Sequence, residues 1–130
     1  MICLMIITIP WPPSDLSPNA RTHWAKKAKA AKSYRAICGW ETKMAMRQPG
    51  APQTFADGKI TLSIIFHAKT RRAYDLDNAL ASIKSGLDGV ADALGVDDSR
   101  WALRMEKGDP VRGGMIIVKI EIATEQPHGI

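Results

Sequence analysis

Residues 71–98 read RRAYDLDNALASIKSGLDGVADALGVDD. Two arginines run into Asp75 and Asp77, and Asp97 and Asp98 close the stretch. Between them Leu80, Ile83, Leu87, Val90 and Leu94 recur at alternating spacings of three and four, which predicts a helix over 75–94 with one apolar face. Ala79, Ser82, Gly86, Gly89 and Ala93 form a second stripe of small side chains. Two glycines inside a helix cost roughly 1 kcal/mol each relative to alanine. Close approach of another backbone, from the sheet or from a second subunit, would offset that cost; the stripe borders the core face, which favours the sheet. A third line holds Asp77, Ala81, Lys84 and Asp88, and Lys84 can pair with Asp88 one turn on. Gly95 is a natural helix stop.

The flanking segments supply strands. Residues 59–67, KITLSIIFH, are a β-rich run leading into the helix, and 3–9, CLMIITI, are another, ended by WPPSD. Residues 20–47 are rich in Ala, Lys and Arg, with Trp24, Ala28, Ala31, Ile37, Trp40 and Met44 at helical spacing, and predict one long helix that Gly39 weakens. Residues 101–107, WALRMEK, and 115–122, MIIVKIEI, alternate as strands. The turn-rich GDPVRGG between them suggests a hairpin. The tail after 122 reads as frayed. The order β-α-β-α-β-β predicts an α+β domain of α/β type, a mixed sheet of about four strands carrying two main helices, with residues 1–130 as a single unit.

Composition is that of an ordinary globular chain: 45% hydrophobic and 24% charged over 130 residues. Two cysteines, Cys3 and Cys38, form no disulfide framework and no zinc-type pair. The apolar start, MICLMIITIPW, lacks a basic leader and is too short to span a bilayer. These features predict a cytoplasmic protein with reduced thiols and no membrane partner. The net charge of +5 is uneven. Residues 1–74 carry 12 Lys+Arg against 3 Asp+Glu, and residues 75–130 carry 6 against 10. A basic half suits a polyanion such as nucleic acid, although a solvated lysine-rich helix face gives the same count.

Each aspartate pair has a plain structural explanation alone. Asp75 or Asp77 can cap the helix, which needs only one cap, and complement its dipole; Asp97 and Asp98 can sit in a solvated turn. Together with two arginines and a lysine they suggest a magnesium site. Mg²⁺ takes oxygen ligands from a few carboxylates, water and substrate phosphate. Such a metal polarises a phosphate and activates water. Lys84 would offset charge in the transition state, and Arg71 and Arg72, with Lys69 beside them, would hold flanking phosphates.

IPWPPSD near the N-terminus, the basic stretch LSPNARTHWAKKAKAAKSYR, RRAYDLDN, IKSGLD and VDDSR together resemble the RusA-type Holliday junction resolvases, small endonucleases of phages and prophages. The resemblance runs in order from about Ile7 to Ile122. It implies a homodimer that binds four-way junction DNA and nicks two opposed strands symmetrically in recombination and repair, using Mg²⁺ or Mn²⁺ and no other cofactor. The family's metal ligands fall on Asp75, Asp77 and Asp98, with Asp97 as the fallback for Asp98. Its active-site lysine falls where this chain has Ala81; Lys84, one turn later and facing the Asp77 side, takes the role. In this context Lys26, Lys29, Lys32 and Arg35 become DNA phosphate contacts.

His23, His67 and His128 share no ligand spacing and read as structural. Trp24, Trp40 and Trp101 read as packing, and Trp11, before two prolines, as a loop anchor or a stacking surface for an unpaired base. Three rivals compete with the nuclease: a non-catalytic branched-DNA-binding module, another DxD enzyme such as a phosphatase or glycosyl transferase, and a structural phage protein.

Overall fold

The computed structural model describes residues 2–51, 59–97 and 101–123. Four strands, β1 (Ile2–Pro10), β2 (Lys59–His67), β3 (Trp101–Lys107) and β4 (Met115–Ala123), combine with two helices, α1 (Trp24–Met46) and α2 (Leu76–Leu94). A short 3-10 turn, Ser14–Leu16, follows β1. The sheet order is β1-β4-β2-β3. β4 runs antiparallel to both β1 and β2, whereas β2 and β3 are parallel. The fold is therefore the expected α+β arrangement, a mixed four-stranded sheet with two helices.

The expected 101–107/115–122 hairpin does not form. β3 pairs with β2 from Ile60↔Trp101 to Phe66↔Lys107, and β4 inserts on the other side of β2. Burial explains the choice. Ile116, Val118, Ile120 and Ile122 are essentially inaccessible, so β4 belongs at the centre. β3 carries Arg104, Glu106 and Lys107 at exposed positions, charges that suit an edge strand. The connection crosses the end of β2: Gly108 N–H donates to the Phe66 carbonyl and Val111 N–H to the Ala68 carbonyl. Gly113 and Gly114, both at positive φ, then turn the chain into β4.

Alternate residues of β1, β2 and β4, from Met5 and Ile7 through Leu62 and Ile64 to Val118, form the core with Ile83, Leu87, Val90 and Leu94 of α2. Both helices cover this one face. Asp75 is the N-cap of α2, and Gly95, at φ 70°, ends it. His23 caps α1, its Nδ1 accepting from Ala25 N–H, so that helix starts later than expected. It then runs through Gly39 without a break.

The small-residue stripe of α2 meets α1, not the sheet. A Cβ on Gly86 would fall 2.5 Å from the Tyr34 ring, and one on Gly89 would fall 2.1 Å from the Arg35 carbonyl oxygen. Gly39 answers Gly89 across the contact, so the glycine expected to weaken α1 is what lets the helices close. Partners advance together along both helices, Tyr34 with Gly86 and Gly39 with Gly89. The helices are therefore parallel, with both N-termini at the same end of the sheet.

The buried face of α1 is Tyr34, Cys38 and Thr42. Trp24 and Trp40, expected as packing, are exposed, Trp24 at 76%, and so are Ile37 and Met44 of the same helical spacing. The apolar spacing was real but marks the flank of the helix, because the face against α2 needs small residues. Trp101 is half-buried and packs on the core, as expected. The tail 124–130, including His128, lies outside the described residues.

Candidate active site at the carboxyl ends of β1 and β2

β1 and β2 run parallel, because each is antiparallel to β4. Their carboxyl ends therefore share one edge of the sheet, and the N-termini of α1 and α2 lie at that edge. Ligand sites of open α/β sheets form at such ends. Two helix N-termini add partial positive charge there.

Asp75 and Asp77 stand at the start of α2. One Asp75 carboxylate oxygen accepts from Asp77 N–H at 2.8 Å, so Asp75 serves as the helix cap and its other oxygen is uncommitted by that bond. Asp77 is exposed, and its carboxylate has no partner among the described residues. Lys84 is exposed on the same helix line, about 10 Å further along at 1.5 Å per residue. Lys84 and Asp88 form no ion pair, since Lys84 has no charged partner among the described residues. Asp97 is exposed beyond Gly95. Asp98, expected as the third ligand, lies outside the described residues. Among the described residues no group of three His, Cys, Asp or Glu side chains is placed to hold a metal. Asp75 and Asp77, two residues apart at the start of α2, nevertheless carry the hard oxygen donors that suit Mg²⁺, with water and phosphate completing the shell.

Lys69, Arg71 and Arg72 are exposed in the segment between β2 and α2. Thr70 Oγ1 accepts from Arg72 N–H, which turns this segment tightly just before Asp75. Lys26, Lys29 and Lys32 are exposed in the N-terminal half of α1, at the site's end of the molecule. Arg35 is differently placed. Its guanidinium makes a bidentate pair with Asp92 at 2.6 and 2.8 Å, tying α1 to α2. That bond holds the Asp92 carboxyl below its usual range.

One cation was not legible in the sequence. Lys107 Nζ donates to the Tyr74 carbonyl and sits 4.4 Å from the centroid of the Tyr74 ring. It thereby fixes the residue just before Asp75. Parallel pairing of β3 with β2 brings Lys107 there from 33 residues away, and no local spacing signals it. Tyr74 also donates to the Phe66 carbonyl, and Trp11 packs edge-on against both rings. These contacts anchor the loop after β1 through Trp11, one of the two roles its sequence setting left open. His67 Nδ1 lies 2.7 Å from the Asp109 carbonyl oxygen, a structural contact, as expected.

The fold and site define a small α+β domain with a carboxylate pair at the mouth of a parallel strand pair. The chain belongs to the same family as an uncharacterized protein of Xylella fastidiosa (strain Temecula1), to which it is 41% identical over 122 residues, 92% of this chain and 78% of the relative. No family model matches the chain. Among solved structures, the 2C-methyl-D-erythritol 2,4-cyclodiphosphate synthase of Plasmodium vivax superposes over 97% of this chain and 100% of that one, with a TM-score of 0.38 and 10% identity. A likeness that low carries no argument.

Proposed function

We propose that this chain is a metal-dependent structure-selective endodeoxyribonuclease that resolves Holliday junctions by paired, symmetric nicks, a cytoplasmic recombination and repair enzyme of phage or prophage type. The observation that carries the reading is the uncommitted Asp77 carboxylate beside Asp75, at the sheet end where Lys69, Arg71, Arg72 and the lysines of α1 gather. Asp75 and Asp77, with Asp98, would hold Mg²⁺ or Mn²⁺. A bound ion there would polarise the scissile phosphate and lower the pKa of a water nucleophile. Arg71 and Arg72 bind the flanking phosphates as planar forks. Lys84, two turns along α2, meets negative charge on the departing strand. Lys107, through the Tyr74 carbonyl, positions the segment that carries both aspartates.

Resolution needs two sites, and a two-fold pair of subunits supplies them. The edge strand β1 suits that pairing. It spans nine residues without a charged side chain, unlike edges protected against association. Leu4, Ile6 and Met44 border one groove beside it, and Trp40 and Ile37 continue the exposed apolar surface along α1. A two-fold axis would set β1 antiparallel to its own copy.

The direct test is incubation of the protein with a labelled mobile four-way junction and Mg²⁺. Symmetric nicks in opposed strands support the proposal; intact junctions refute it. The second reading, a non-catalytic branched-DNA-binding module, draws on the fact that no group of three candidate ligands comes together among the described residues. Calorimetric titration with Mn²⁺ separates the two, since the module would bind no ion.

A further inference from the structure

A pocket of about 460 Å³ opens between the loop after β1 and the first turns of α2. It lies within the size range of small-molecule sites, roughly 300–1,000 Å³. The half-buried Trp11 and Tyr74 supply its aromatic lining, over the fully buried Phe66, and Asn19 and Asn78 also line it. The carboxamides of both asparagines have no hydrogen-bond partner among the described residues; only their backbone groups are engaged. Asp75 also lines the pocket, and none of the described lining residues is Lys or Arg.

The charge pattern selects the ligand. Lys69, Arg71 and Arg72 are exposed in the segment that leads into the lining residues Ala73, Tyr74 and Asp75, but the lining itself is neutral apart from one carboxylate. A phosphate would be favoured outside and disfavoured inside. A neutral, planar group with hydrogen-bonding edges would be favoured inside, against aromatic walls and free carboxamides. Asparagine can pair two hydrogen bonds with a base edge, and unstacked bases are commonly read by such side chains between apolar walls.

We propose that this pocket binds a single unstacked nucleobase, with Asn78 and Asn19 reading its edge. On the nuclease reading above, on which the assignment to DNA rests, the base belongs to the strand whose phosphate lies over Asp75 and Asp77. Asn78 would then be a specificity residue, coupling cleavage to the identity of a base beside the nick.

The test uses the intact protein labelled with ¹⁵N and titrated with each of the four deoxynucleosides. The proposal expects saturable shifts of the Trp11 indole N–H and of the Asn19 and Asn78 side-chain amides, with one nucleoside preferred. Asn78→Ala should weaken that binding about fivefold or more, as removal of a base-edge hydrogen bond does, while leaving the melting temperature within error. Absence of shifts at these groups with all four nucleosides overturns the proposal, as does unchanged affinity in both Asn78→Ala and Asn19→Ala. Cleavage of the four-way junction is scored separately. Nucleoside binding without any cutting would keep the pocket and remove the nuclease reading; cutting without nucleoside binding would do the reverse.

Discussion

Gly89 of α2 lies directly beneath the backbone of Arg35 of α1: a Cβ at Gly89 would come within 2.1 Å of the Arg35 carbonyl oxygen and 3.0 Å of its carbonyl carbon. This contact sets how closely the two helices run, and so where both N-termini stand at the candidate site. Gly89→Ala tests it. Helix propensity alone favours alanine by about 1 kcal/mol, whereas an overpacked contact costs about 1–3 kcal/mol. The obstacle is backbone, so sterics should win. Urea unfolding should show net destabilisation; a more stable variant would show that the helices separate freely.

Asp77→Asn should abolish metal-dependent cleavage and leave junction binding within about twofold, since it removes one charge from the ion's ligands and none from the groups that hold phosphate. Cutting by this variant at the wild-type rate would remove Asp77 from the site.

Lys29→Glu with Lys32→Glu should weaken DNA binding for all sequences alike and lower the salt slope by about 1 for each phosphate that is no longer neutralised. Arg35→Ala should not lower that slope, because the Arg35 guanidinium is held by Asp92. Gel-shift titrations across a salt series measure both. An equal drop in slope in Arg35→Ala would mean that the ion pair opens on DNA.

The β1 edge predicts association. Sedimentation at micromolar concentration should report about twice the 14.2 kDa chain mass. Ile6→Lys with Trp40→Glu, both at exposed positions, should give a folded monomer that can nick but not resolve. A double variant that remains a dimer would place the contact elsewhere.

Alkaline pH should destabilise the fold. Burial pushes the Cys38 thiol up to about 12 from 9.0 and pushes the Tyr34 phenol above its usual range. Both folded values exceed the unfolded ones. Their stabilisation is therefore complete below about pH 9 and is lost as pH rises toward the folded values. The urea midpoint should fall between pH 8 and pH 10.5, and fall less in Cys38→Ser. A midpoint independent of pH there would mean that these groups ionise inside the fold.

Periodicity alone determined much of this protein. The spacing of Ile83, Leu87, Val90 and Leu94 placed α2 and its buried face, and the runs 59–67 and 101–107 became strands at those bounds. These are local properties, because backbone period and side-chain polarity act within a few residues. Asp75 as cap and Gly95 as stop were legible for the same reason. Tertiary structure decided which elements meet. The 101–107 strand joined β2 rather than its sequence neighbour, because the fully apolar inner face of β4 gains more from the centre of the sheet than a strand carrying Arg104 and Glu106. The glycines of α2 met α1 rather than the sheet, because only Gly39 and the bare Arg35 backbone allow so close a crossing. Lys107 reached Tyr74, and Arg35 reached Asp92, by pairings no local pattern encodes. Such contacts depend on burial summed over the whole domain, a quantity no single segment carries.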